Sequence, residues 1–120
     1  MTTTYRITVV TGTPDGAGTD ANVYLTLLGT RGNGGERQLN NFENNFERGR
    51  TDVFSLEMED LGEIDRIRVR HDNTGHRPGW FLDRVTVHNE NTDEEFVFPC
   101  GRWLARDEDD GQVDRVLDRK

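Results

Sequence analysis

The chain has 120 residues, of which 32% are apolar and 32% are charged, so it has room for one domain with a modest hydrophobic core. Its formal net charge of −8 argues against nucleic acid as a partner, because phosphate binding requires a basic surface. A single cysteine, Cys100, excludes an internal disulfide and a cysteine-rich zinc site, and no apolar run approaches the length of a membrane span.

Short stretches of alternating apolar and polar residues follow one another along the chain, and none has the period of an amphipathic helix. Residues typical of turns, chiefly glycine, asparagine and aspartate, separate the stretches. This pattern predicts an all-β fold, an antiparallel β-sandwich that takes up residues 1–120 as one domain. Strands are expected at residues 5–11, 23–28, 37–39, 51–58, 64–71, 80–88, 95–99 and 113–117, with an exposed hairpin tip at 30–36.

The strand predicted at residues 64–71 turns every second side chain toward solvent, and three of these side chains are arginines. We interpret them as part of a solvated sheet face, paired across strands with acidic residues. The alternative is a patch that binds a protein partner or a phospholipid headgroup. The arginines are Arg66, Arg68 and Arg70, and the acids expected to pair with them are Glu57, Glu59 or Asp83.

The two tryptophans are predicted to have different surroundings. Trp80 begins an alternating apolar run that continues through Leu82 and Val85, so we place it in the core. Trp103 follows a glycine and an arginine, and we expect it to be partly exposed.

The sequence does not predict catalysis. Nucleophile elbows, phosphate-binding P-loops and the His-Glu-x-x-His zinc motif are absent from it. The single serine, Ser55, lies within a predicted strand, and Cys100 follows an apolar run and is interpreted as a buried structural thiol. We therefore predict a non-catalytic domain.

Three polar loops carry the candidate metal ligands. Ca²⁺ takes about six to eight oxygens from carboxylates, amides, backbone carbonyls and water, and loops that share one end of a sandwich would supply them. Each loop taken alone is interpreted as an ordinary turn, but their coincidence predicts a calcium site. Residues 16–21 offer glycine carbonyls and the carboxylate of Asp20, residues 44–49 offer Asn44, Asn45 and Glu47, and the third loop offers Asp72 and Asn73.

Several motifs spread over nearly the whole chain carry a family resemblance. They include Gly18-Thr19-Asp20-Ala21-Asn22-Val23, Asn45-Phe46-Glu47-Arg48-Gly49, Arg68-Val69-Arg70-His71-Asp72-Asn73, Pro78-x-Trp80-Phe81-Leu82-Asp83 and Phe98-Pro99-Cys100-x-Arg102-Trp103-Leu104. Together they resemble the PLAT domain, the lipoxygenase-homology module shared by polycystins, lipoxygenases, some lipases and clostridial alpha-toxin. The resemblance is strongest toward PLAT domains that occur as tandem repeats.

The resemblance implies a sandwich of two four-stranded sheets with Ca²⁺ held by loops at one end. It also implies a module that targets its host to a membrane phospholipid surface or to a protein partner in a calcium-dependent way. By motif, the implied ligands are Gly18, Thr19, Asp20, Asn44, Asn45 and Glu47, with Asp72 and Asn73 as further candidates.

Two features depart from the family pattern. The neutral Asn45 stands where several relatives have an aspartate, and Gly79 stands where some have an acid, so the implied site has fewer carboxylates and a lower calcium affinity. The loop tips also lack the exposed aromatic side chains with which some relatives enter lipid, and deep membrane insertion is not expected.

We expect a monomeric, non-catalytic, calcium-binding PLAT module that does not bind nucleic acid. The N-terminal residues lack a basic segment followed by an apolar stretch, so we expect a cytoplasmic location, peripheral at a membrane. Two alternatives remain open. One is a calcium-stabilised protein-interaction module without lipid binding, which uses the arginine-rich sheet face; the other is an accessory domain of a larger lipid-modifying enzyme.

Overall fold

The computed structural model describes residues 2–40 and 45–120, and within them the chain forms two packed antiparallel β-sheets. The strands are β1 (Thr2–Thr11), β2 (Val23–Gly29), β3 (Gly32–Gln38), β4 (Thr51–Glu59), β5 (Ile64–His71), β6 (Trp80–Asn89), β7 (Glu95–Leu104) and β8 (Asp114–Asp118). The first sheet has the order β4-β1-β6-β7 and the second the order β3-β2-β5-β8. This arrangement confirms the expected all-β sandwich of two four-stranded sheets. No described segment forms a helix that is long and apolar enough to cross a membrane.

Alternation along the strands places one face of each sheet in a shared core. In β1, the side chains of Tyr5, Ile7 and Val9 are completely buried, and each burial of this kind stabilises the fold by about 1.5–3 kcal/mol. Trp80 is also fully buried, and its indole Nε1 donates a hydrogen bond of 3.0 Å to Thr11 Oγ1. The predicted place of Trp80 in the core is therefore confirmed.

Strand β3 is longer than predicted, and the hairpin tip before it is correspondingly shorter. Gly32 already pairs with Gly29, and Asn33 pairs with Leu28, so only residues 30 and 31 form the tip. The pairing register then shifts, and Gly35 takes a positive φ of 77° there. Three glycines within one strand oppose the usual residue preferences of strands, and for this reason the sequence pattern indicated a loop.

Strand β7 continues past the predicted end at Pro99 to Leu104. Proline is compatible with this strand because β7 lies at the edge of the first sheet, where one side of the backbone has no partner strand. The continuation places the half-buried Trp103 against Phe81, edge to face, with ring centroids 5.4 Å apart. The expected partial exposure of Trp103 is confirmed.

The arginine stripe on β5 lies on the outer face of the second sheet, where acids of the same sheet hold it. The Nε atoms of Arg66, Arg68 and Arg70 donate to Asp118, Asp114 and Glu36 at 2.9, 2.9 and 2.7 Å, respectively. The expected pairing with Glu57, Glu59 or Asp83 is wrong, because β4 and β6 carry these acids in the other sheet. The stripe and its acids neutralise each other.

The buried histidine, His71, connects the end of β5 to its neighbours. Its Nδ1 accepts a hydrogen bond from the Asn73 backbone N–H at 3.0 Å, so the ring proton lies on Nε2, which donates to the Leu104 carbonyl at 2.6 Å. A second ring proton would face the Asn73 N–H, donor against donor. Burial lowers the pKa of His71 below its ordinary value.

This arrangement makes folding stability depend on pH. The ordinary pKa of histidine is about 6.5. Below that pH the unfolded chain takes up a proton that folded His71 excludes. The free energy of unfolding therefore decreases as the pH is lowered. One proton limits the slope to about 1.4 kcal/mol per pH unit. Urea denaturation between about pH 7.5 and 5 should show a flatter dependence in His71→Gln, while exposed His76→Gln keeps the wild-type slope. Equal slopes in all three proteins would contradict this role.

Candidate metal site at the loop rim

Three loops meet at one end of the sandwich, as the calcium hypothesis requires. They are the β1–β2 loop (residues 12–22), the β3–β4 loop (residues 39–50, described at 39–40 and 45–50) and the β5–β6 loop (residues 72–79). The Thr19 N–H donates to the Phe46 carbonyl at 3.0 Å, and the Asp20 N–H donates to the Arg77 carbonyl at 3.2 Å. The β1–β2 loop is therefore bonded to both of the others.

Phe46 anchors the β3–β4 loop in the hydrophobic core. It has a positive φ of 63°, a conformation that is unfavourable for a bulky side chain. Its ring stacks on Phe54 at a centroid distance of 5.6 Å and meets Trp80 edge-on at 5.4 Å. Core packing thus stabilises a strained backbone. It also fixes the Phe46 carbonyl, which accepts the hydrogen bond from the Thr19 N–H.

Asp52 supports the same loop from below. Its carboxylate is completely buried; Oδ2 accepts the Phe46 N–H at 2.8 Å and Oδ1 accepts Arg50 Nε at 2.7 Å. A buried carboxylate needs such partners, because its desolvation is otherwise costly. Asp52 therefore fixes the loop backbone in the position from which it contacts the β1–β2 loop.

Two glycines allow the loops to approach closely. A Cβ atom on Gly18 would lie 2.9 Å from the Phe46 carbonyl oxygen and 3.0 Å from the Arg48 nitrogen. A Cβ atom on Gly75, whose φ is 86°, would lie 2.9 Å from the Asp20 Cβ. Any larger residue at either position would push the β1–β2 loop away from its neighbour.

A polar cavity of about 220 Å³ opens between the β1–β2 and β3–β4 loops, lined in part by Thr19, Asp20, Asn40 and Asn45. Asp20 brings the only carboxylate of the described lining. The Oδ1 atom of Asn45 is buried and has no hydrogen-bond partner among the described residues. A buried oxygen left unpaired is destabilising by about 1–3 kcal/mol, so a water or a cation that bound this atom would be stabilising.

Asp72 has a different environment from Asp20, because its carboxylate is already engaged. Oδ1 accepts the Asn22 N–H at 3.1 Å and the Thr74 hydroxyl at 2.6 Å, and Oδ2 accepts Asn22 Nδ2 at 2.8 Å. These bonds, led by the one from Thr74, lower the pKa of Asp72 to about 2. Asp72 joins the β5–β6 loop to the end of the β1–β2 loop.

The structure brings together some of the predicted ligands and separates others. Thr19, Asp20 and Asn45 line the cavity, and Gly18 packs against the β3–β4 backbone beside it. Glu47 is exposed and outside the lining, whereas Asp72 and Asn73 border a separate depression. Asn44 lies outside the described residues. Metal ligation by these eight residues stays a prediction.

The described part of the chain has no group of three or more acidic, histidine or cysteine side chains that could hold a metal ion. The hydroxyl of Thr19 is also occupied, since it donates to the Pro78 carbonyl at 2.6 Å and accepts the Ala21 N–H at 3.1 Å. Within the described residues, a cation would therefore depend on Asp20, the Asn45 amide and backbone carbonyls.

Sequence reasoning missed Asp52, which organises the rim, and Asn22, which holds Asp72. A signal for Asp52 was present, because the alternation that turns Phe54 inward turns Asp52 inward as well. An acid at an inward strand position is unusual and indicates a buried structural contact. No comparable signal exists for Asn22, because its bond to Asp72 joins residues far apart in the sequence.

Removal of the Asp52 carboxylate should loosen the rim. We expect Asp52→Ala to lower the free energy of unfolding by about 1–3 kcal/mol, because the Phe46 N–H and the Arg50 guanidinium lose their buried acceptor. Asp83→Ala, which removes an exposed acid paired with Arg84 at 2.7 Å, should cost less than about 1 kcal/mol. Urea denaturation measures both, and an equal, small effect in the two variants would contradict the role assigned to Asp52.

Comparison with known proteins agrees with the fold. The family model described as "PLAT/LH2 domain" matches residues 5–118. The chain is 52% identical over 118 residues to lipoxygenase homology domain-containing protein 1 of Mus musculus and 40% identical over 105 residues to the polycystin family receptor for egg jelly of the same species. These alignments cover 94% and 86% of the chain, but the chain spans only 6% and 5% of the length of those relatives.

A solved relative has the same fold. The crystal structure of coral 8R-lipoxygenase, whose description includes "calcium activation via a C2-like domain", superposes with a TM-score of 0.85 at 31% identity. The superposition covers 97% of this chain and 17% of that protein. Because the family model and the similar relatives match nearly all of the chain, it belongs to the PLAT/LH2 domain family.

Proposed function

We propose that this PLAT domain is a non-catalytic, calcium-binding module that docks its host protein on a membrane surface or on a protein partner. The observation that carries the proposal is Asn45, which lines the same polar cavity as Asp20 and whose buried Oδ1 has no hydrogen-bond partner among the described residues. Amide and carboxylate oxygens are the ligands that Ca²⁺ prefers. The calcium activation described for the coral lipoxygenase supports the proposal by analogy.

The donor set fits a weak site. Calcium affinity rises with the number of charged ligands and with the rigidity of the loops that carry them. Here the described cavity contributes the Asp20 carboxylate, the Asn45 amide and backbone carbonyls, on loops that Phe46 and Asp52 hold in place. We therefore place the dissociation constant at about 10⁻⁴ to 10⁻³ M, in the range of extracellular calcium modules.

Docking would take place at the surface and would not require insertion. The acids Asp15, Asp20 and Glu47 are exposed at the rim and oppose an anionic membrane. A bound divalent cation would offset this charge, and the exposed Arg77 could then contact an anionic headgroup. The large apolar side chains exposed in the described chain, Val53 and Val116, lie on β4 and β8 and not on the rim loops.

The proposed absence of catalysis has support from two side chains. Burial raises the pKa of the Cys100 thiol, which disfavours the nucleophilic thiolate. Both ring nitrogens of His71 are used in structural hydrogen bonds, so it is not available as a general base.

Calcium should stabilise the folded domain. With about 10 mM Ca²⁺ in place of a chelator, we expect the free energy of unfolding to rise by about 1–3 kcal/mol, because the ion binds only the folded state. Asp20→Ala and Asn45→Ala should lose most of this gain. Thermal or urea denaturation with and without the ion measures the difference.

The matched control is Asp15→Ala, which removes an acid from the same loop at a position outside the cavity lining. Asp15→Ala should keep the calcium-dependent gain. A wild-type domain whose stability does not change with calcium would overturn the proposed site. Equal losses in Asp15→Ala and Asp20→Ala, with the gain kept in the uncharged Asn45→Ala, would assign the effect to general rim charge.

Membrane docking should depend on the same cavity. We expect the wild-type domain to sediment with phosphatidylserine-containing vesicles in calcium but not in chelator, and Asp20→Ala to stay in the supernatant. Because the contact is electrostatic, salt at about 0.5 M should release the protein. If the wild type binds calcium but never sediments, the protein-interaction alternative replaces the membrane role.

A further inference from the structure

A second cleft lies on the rim and shares no lining residue with the polar cavity around Asp20 and Asn45. It has a volume of about 490 Å³ and is bordered by the tip of the β1–β2 loop, the β5–β6 loop and the loop between β7 and β8. Volumes of this size are typical of sites that take small ligands or short peptide segments. The lining of the cleft includes Arg77, Pro78, Trp103, Arg106, Asp107 and Glu108.

Four charged side chains around this cleft are unpaired within the described residues, whereas a fifth, Asp15, is paired with Arg48 at 3.3 Å. The arginines of β5 are neutralised by acids, and Arg102 and Arg115 are held by Asp109 and Asp110. By contrast, Arg77, Arg106, Asp107 and Glu108 have no side-chain ion pair or hydrogen bond with any described residue. Two guanidinium groups and two carboxylates thus border one cleft without neutralising one another.

Trp103 gives the cleft an apolar floor. Its backbone carbonyl accepts two hydrogen bonds from the Arg115 guanidinium, at 2.7 and 3.2 Å, and its ring packs on Phe81. The indole is therefore fixed in place while it remains half-buried. Tryptophan and arginine are the residues that most often provide binding energy at protein interfaces, particularly where they are pre-organised.

We propose that this cleft binds a short peptide segment of a partner protein, with an aliphatic side chain between an acidic and a basic one. The aliphatic side chain would pack on Trp103 and Pro78. The acid would pair with Arg77 or Arg106, for which guanidinium geometry is well suited, and the base would pair with Asp107 or Glu108. Both signs of charge on the cleft are thus matched by the ligand.

A peptide fits these features better than an anionic lipid headgroup does. Asp107 and Glu108 would oppose a phosphate group, and the formal charge of −8 adds a long-range repulsion from anionic membranes. None of the residues that carry the proposal lines the polar cavity around Asp20 and Asn45, so the peptide should bind without calcium.

Trp103 also supplies a site-specific probe. The chain has two tryptophans, and the indole N–H of Trp80 is buried and bonded to Thr11 Oγ1. In ¹⁵N-labelled protein, a ligand in the cleft should shift the Trp103 indole signal and leave the Trp80 signal in place. The variant Trp103→Phe assigns the two signals.

The ligands to test are the capped tripeptides Glu-Leu-Lys and Lys-Leu-Glu, in chelator. We expect one of them to shift the Trp103 indole signal saturably, with a dissociation constant of about 1 mM or tighter. The uncharged Gln-Leu-Gln and the Glu-Gly-Lys peptide should bind at least about five-fold more weakly. The double variant Arg77→Gln/Arg106→Gln should bind the charged tripeptide at least about five-fold more weakly than the wild type does.

The matched control is the double variant Arg66→Gln/Arg68→Gln, which also removes two positive charges but from the face of the second sheet, and it should leave binding unchanged. Absence of a saturable shift with both charged tripeptides would overturn the proposal, as would equal affinities in the double variant and the wild type. If soluble glycerophosphate or phosphocholine binds more tightly than either tripeptide, the cleft is assigned to lipid headgroups. This result would also overturn the peptide proposal.

Discussion

The rim of this domain depends on the way in which Phe46 is held. Its ring belongs to the core, packed against Phe54 and Trp80, while its backbone lies in the loop that borders the polar cavity. The positive φ is unfavourable for such a residue, and it persists because core packing and the buried Asp52 carboxylate over-determine it. The fixed Phe46 carbonyl accepts the Thr19 N–H and thereby positions the β1–β2 loop. The stability of the core and the geometry of the candidate site are therefore linked by one residue.

The arginines of β5 are paired on the face of the second sheet, but several charged side chains at the loop rim are unpaired within the described residues. On the face of the second sheet, arginines and acids pair across neighbouring strands, which reduces the net charge of this face. Exposed pairs of this kind add little stability, so their main effect is on the surface potential. At the rim, by contrast, the charged side chains without such a partner among the described residues are those of Asp20, Glu47, Arg77, Arg106, Asp107 and Glu108. For this reason we place both proposed ligands, the cation and the peptide, at the loop end of the sandwich.

The candidate site was predictable where it depended on residue type and not where it depended on neighbours. Asp20 and Asn45 stand out in the sequence because oxygen donors in glycine-containing loops suit a hard cation, and both line the cavity. Asp72 has the same chemistry, yet its oxygens are taken by Asn22 and Thr74. The partners of the β5 arginines were assigned wrongly for a similar reason. Alternation shows which side a residue faces, but it does not show which strand lies beside it.

The sequence by itself determined the fold class, the positions of most strands and the core role of Trp80, because these follow from alternation, turn residues and side-chain size, all of which are local. Glycine-rich β3 and the extension of β7 past Pro99 were decided by pairing with β2 and β6, which supply the hydrogen bonds that local preference opposes. Tertiary structure alone decided that Asp20 remains open to a ligand while Asp72 does not. It also brought Trp103 together with unpaired charges from two loops, because a cleft is a relation between segments that are distant in the sequence.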